Sequence, residues 1–165
     1  MTERQKFDLV KKLHNIEIRR YRPCVIADVV IDASFSNAGS LGFRPLVTYI
    51  SQNQIAMTAP VLQEEINKDS WVVSFVMPDG VTLSDLPTPK NQSVVLRRVN
   101  EHMAAALGFN GITSEEKIHQ KELELRAELS REKLKAIGPM RIARFDPPWK
   151  PGFLRHNEVI IPIEV

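Results

Sequence analysis

The chain has 165 residues, 43% of them hydrophobic and 25% charged, with a net charge of +2. That balance describes an ordinary globular chain long enough for one domain with a sizeable core. It lacks the basic run and interleaved aromatics of a nucleic-acid binder.

Residues 1–14 carry charges throughout and no apolar run, so they read as an extension of a single domain and not as a signal peptide. No apolar stretch reaches the roughly 18 residues that span a bilayer. Cys24 is the only cysteine, so no intramolecular disulfide forms. A cytoplasmic protein is expected. Ile16–Tyr21 sets Ile16 and Ile18 against Glu17 and Arg19, the period of a half-buried strand. Arg22-Pro23 breaks it, and the β-branched run Cys24–Ala33 reads as a second strand antiparallel to the first. Ser34–Asn37 offers N-caps for a helix to about Ser51, with Leu41, Leu46, Tyr49 and Ile50 at helical spacing. Gly39 and Gly42 weaken that helix, and Pro45 kinks it unless it lies in the first turn.

Ile55–Glu64 and Trp71–Met77 read as strands, with Pro60 suited to a strand entry or an edge. Leu86-Pro87-Thr88-Pro89 is an extended connector. Val94–Val99 and Met103–Phe109 are strands, and Asn110-Gly111 turns the chain. Thr113-Ser114-Glu115-Glu116 resembles a capping box. A long helix is expected from there to about Ile137, with Ile118, Leu125 and Leu129 on one face and a solvated charged face elsewhere. Met140–Phe145 and Glu158–Val165 close the chain.

The order is ββαββ twice. Ile18–Ala27 lines up with Leu96–Ala105, each an apolar residue, Arg-Arg, a turn and an apolar strand. The duplication predicts an α+β fold with eight antiparallel strands in a pseudo-twofold sheet or distorted barrel flanked by two helices, and a concave groove between the halves as a small-molecule site.

Catalytic patterns are missing. No nucleophile elbow, Walker loop, dinucleotide fingerprint or zincin motif occurs. The histidines His14, His102, His119 and His156 are too widely spaced for a zinc site. No enzyme is expected. One loop stands out. Phe145–Arg155 is stiffened by Pro147, Pro148 and Pro151 and carries Trp149 and Phe153 beside Lys150 and Arg155. Aromatic faces with cations suit a flat apolar ligand that bears carboxylates. His156, next to Arg155 at a strand entry, can hydrogen-bond such a ligand.

Ile16–Tyr21, Ile55–Val61, Trp71–Pro78, Asp146–Pro151 and Arg155–Val159 together resemble the SOUL/haem-binding protein family, in order and nearly without gaps from about residue 15 to 163. The resemblance implies a distorted β-barrel flanked by two helices, similar to gyrase-inhibitor-like effector-binding domains. It also implies non-enzymatic binding of haem or a related tetrapyrrole in a shallow apolar groove, as a carrier or buffer. Lys150 matches a family pocket lysine, and Arg44 is the nearest cation on the first helix to the family's basic positions there. Tyr49, Met57, Trp149, Phe153, Arg155 and His156 complete the haem-binding candidates. Some animal members carry a proposed iron-ligating histidine in the first strand. The matching residue here is Arg20, which can pair with a propionate and does not ligate iron. Two other readings stay open. One is an effector-binding module for amphipathic cations or drugs, signalled by an inward-facing Glu64 or Glu158. The other is a small hydrolase on the same fold.

Overall fold

In the computed structural model, which describes residues 2–147 and 149–165, the N-terminal residues are strands. β1 is Glu3–Arg4 and β2 is Phe7–Leu13. They are followed by β3 (Ile16–Tyr21), β4 (Cys24–Asp32), α1 (Phe35–Gln52), β5 (Thr58–Ala59), β6 (Val61–Asn67) and β7 (Ser70–Val76). Then come β8 (Val94–Val99), β9 (His102–Asn110), α2 (Glu115–Arg131), β10 (Arg141–Arg144) and β11 (His156–Pro162). The described chain divides into two compact units. One joins residues up to Lys6 with Pro23–Asn100, and the other joins Phe7–Arg22 with Glu101–Val165.

In the first unit the strands run β6-β7-β4-β8, all antiparallel. The short β1 pairs in parallel with β5, just before Pro60 interrupts the ladder. The α1 helix buries Phe35, Ala38, Gly42, Leu46, Tyr49 and Ile50. They pack on Val25, Ala27, Val29, Val73 and Phe75. Leu41, expected on this face, is exposed, and Gly42 takes the contact. The reason is distance: a Cβ on Gly42 would sit 2.6 Å from Val73 Cβ. The glycine that weakened the predicted helix is what lets it approach the sheet. Pro45 lies mid-helix, beyond the first turn, and the helix continues to Gln52.

The second unit is a sheet of order β2-β3-β9-β11-β10, also antiparallel. Its α2 buries Ile118, Leu125 and Leu129, as the spacing predicts. Each such burial contributes about 1.5–3 kcal/mol. Ser114 is the N-cap and accepts from the Lys117 N–H at 3.1 Å, which is half of the expected capping box. The helix ends at Arg131, short of the predicted Ile137. Lys133 adopts φ = 56°, a left-handed turn that no helix continues through, and Leu134 N–H bonds back to Leu129 O at 2.9 Å. Residues 135–137 then bond to Pro162 and Glu164 beside the last strand.

One pairing differs from the sequence reading. The strands β3 and β4 are not partners. β3 pairs with β9 and β4 pairs with β8. The matched segments of the repeat thus exchange strands, because Arg22-Pro23 and Asn100-Glu101 carry the chain from one unit to the other instead of closing hairpins.

Candidate functional site

Alternation along β3 sends Ile16 and Ile18 to one face of the second unit's sheet and Glu17, Arg19 and Tyr21 to the other. The polar face is not solvated. Arg19 is 6% exposed and Tyr21 2%. Arg19 Nη1 and Nη2 donate to Glu158 Oε1 and Oε2 at 2.7 and 2.8 Å. Nε and Nη2 also donate to Glu17 Oε1 at 2.9 and 2.7 Å, and Nη1 to the Tyr21 hydroxyl at 2.8 Å. Phe7 lies under the guanidinium, 4.2 Å from ring centre to Cζ. Burial alone would push the Glu158 carboxyl up. The hydrogen bonds from Arg19 and His156 overrule it and hold the group down at about 2. Burial likewise opposes the Arg19 charge, and Glu158 outweighs it and raises Arg19 above its ordinary value.

Register on the neighbouring strands makes room beside this network. Glu17 faces Ala106 across the β3–β9 ladder, and Glu158 faces Gly108 across the β9–β11 ladder. Small side chains on the middle strand leave a groove of about 400 Å³ whose lining includes Lys12, Glu17, Arg19, Ala106, His156 and Glu158. The His156 ring lies over β9, where a Cβ on Gly108 would come within 3.0 Å of its Cε1. His156 Nε2 stands 3.2 Å from Glu158 Oε2.

The aromatic loop, Phe145–Arg155, leads into His156. Asp146 holds it: one carboxylate oxygen accepts from the His156 N–H at 2.6 Å, and the other from Lys150 Nζ at 3.0 Å. Arg155 Nε donates to Lys150 O at 2.8 Å, and Gly111 N–H to Arg155 O at 3.0 Å. Gly152–Leu154 forms a 3-10 turn. On this frame Trp149 is 84% exposed and Phe153 76%. Ile112 and Leu154 are exposed as well, and a Cβ on Gly152 would meet Ile112 at 2.7 Å. Pro148, part of the predicted loop, lies outside the described residues.

Of the eight predicted site residues, Trp149, Lys150, Phe153, Arg155 and His156 stand together in the second unit. Arg44, Tyr49 and Met57 belong to the first. Arg44 is exposed on α1. Tyr49 is buried and gives its hydroxyl to Pro87 O at 2.7 Å. Met57 packs against the first unit's core. Of the two carboxylates named as signs of a cation site, Glu158 is 5% exposed, whereas Glu64 is half-buried on β6. Sequence reading missed the Arg19 network. Its signal was the Arg-Arg repeat: Arg97, the match of Arg19, also clamps a carboxylate, that of Asp28.

Among the described residues no helix is long and apolar enough to cross a membrane. No curated protein matches the chain at a significant level. Among solved structures, the EcmrR C-terminal domain superposes with a TM-score of 0.65 at 13% identity, covering 90% of this chain and 96% of that one. A hydrolase from Listeria innocua gives 0.64 at 15% identity, covering 93% and 94%. A protein solved bound to tetraphenylphosphonium gives 0.51 at 8%, covering 90% and 93%. At such identities the likeness establishes the fold alone, which is the expected effector-binding type. The sequence model of the SOUL heme-binding protein matches residues 2–162, almost the whole described chain. This chain belongs to the SOUL heme-binding protein family.

Proposed function

We propose that the protein binds haem or a related tetrapyrrole without transforming it, as a carrier or buffer. Membership of the family carries this reading. The loop of the second unit supports it. Trp149 and Phe153 stand exposed on a frame fixed by Asp146, with Lys150 and Arg155 between and beside them. Large apolar rings left in water are costly surface unless a ligand covers them. The two cations suit propionates. Arg20 is exposed and would serve a propionate, not the iron. We place the protein in the cytoplasm, since its single cysteine calls for no oxidising compartment. Titration with haemin and with iron-free protoporphyrin tests the reading. A saturable Soret shift with quenching of Trp149 is expected. Neither shift nor quenching with both ligands would overturn it.

A second reading, an effector-binding module for amphipathic cations, has one observation in its favour: the groove lined by Glu17 and the buried Glu158. A protein of the same fold was solved with tetraphenylphosphonium. Stabilisation by organic cations and none by porphyrins, read by thermal shift, decides for this reading.

A further inference from the structure

We infer that the groove of the second unit takes an organic cation bearing N–H donors (a primary amine, amidine or guanidine) and that Glu17, not Glu158, receives it. The inference rests on the second reading above and specifies it. A guanidinium has five N–H donors. Those of Arg19 make five bonds: two to Glu158, two to Glu17 and one to Tyr21. Arg19 therefore has no donor left for an anion. Glu158 is committed too, with both oxygens on Arg19 and Oε2 also on His156. Glu17 differs. Both of its bonds from Arg19 fall on Oε1, its Oε2 meets no partner among the described residues, and its side chain is 30% exposed.

His156 lines the groove beside Glu158. Glu158 is ionised in its pair with Arg19, so Nε2 must donate across their 3.2 Å contact. The groove thus presents an open carboxylate oxygen beside Ala106 and Gly108, whose small size leaves room for an apolar body. Lys12, the cation at the rim, is exposed on a long stem and can swing away. A quaternary cation has the charge but no hydrogen for Glu17.

Calorimetric titration of the full chain with 2-naphthylmethylamine and with its trimethylammonium analogue tests this. The amine should bind at least about tenfold tighter, the worth of one charge-assisted hydrogen bond. Glu17→Gln, which keeps an acceptor for Arg19, should remove that advantage and weaken the analogue less than the amine. The comparison of the two probes on the unaltered protein holds even if Glu17→Gln does not fold. Equal binding of the two probes, or an amine affinity insensitive to Glu17→Gln, overturns the assignment and leaves the second reading standing. Binding of neither probe, nor of tetraphenylphosphonium, overturns both.

Discussion

Arg19 and Glu158, 139 residues apart in the chain, meet in a two-pronged ion pair of 2.7 and 2.8 Å with side chains 7% and 6% exposed. The pair ties β3 to β11 across β9, strands from opposite ends of the sequence. Arg19→Met leaves Glu158 charged and buried with only His156 beside it, and should cost about 3–5 kcal/mol in urea denaturation. Arg19→Met with Glu158→Met should recover most of that loss, because the desolvation penalty goes with the charges.

The same pair sets an acid limit. Glu158 sits at about 2 in the fold against an ordinary 4.5. Its folded value is depressed, so its contribution, about 3 kcal/mol, is complete above the ordinary value and is lost as pH falls from there towards 2. Stability measured by urea titration should drop across that window, and Glu158→Gln should flatten the drop.

Gly42→Ala places a methyl 2.6 Å from Val73 Cβ. Helix propensity alone would favour alanine by about 1 kcal/mol. The clash falls on a β-branched strand residue in the core, so α1 must lift, and a net loss of about 1–3 kcal/mol is expected in thermal unfolding.

Lys133→Gly should do the opposite. Lys133 holds φ = 56° where α2 ends, a conformation glycine adopts without a Cβ penalty. A gain of about 1 kcal/mol is expected by chemical denaturation.

Trp149→Ala and Phe153→Ala should separate binding from folding. Both side chains are largely in water, so the melting temperature should move little. Haemin affinity should fall about tenfold or more for each if the rings cover the macrocycle.

Much of the architecture was legible from the chain. The ends of β3 and the three buried apolar positions of α2 follow from period alone, as 2 and 3.6 residues place side chains on faces before any partner is known. The end of α2 was not legible, because nothing in its glutamates, lysines and arginines marks where Lys133 turns left-handed. The aromatic loop was legible as an exposed loop, since its three prolines fit no regular element.

Ile16–Tyr21 shows where sequence stops. Its alternation determined that Glu17, Arg19 and Tyr21 share a face, because successive side chains of a strand point to opposite sides. It did not determine what that face meets. Whether a charged side chain ends in water or in a buried pair depends on the strands laid beside it. Here β9 brought alanines and a glycine, and β11 brought a carboxylate at bonding distance. The composition, the periodic elements and the family were written in the chain. The partners of β3 and β4, the burial of Arg19 and the open oxygen of Glu17 arose only when distant strands were brought into register, since the free energy of a charge is set by its neighbours in space and not by those in sequence.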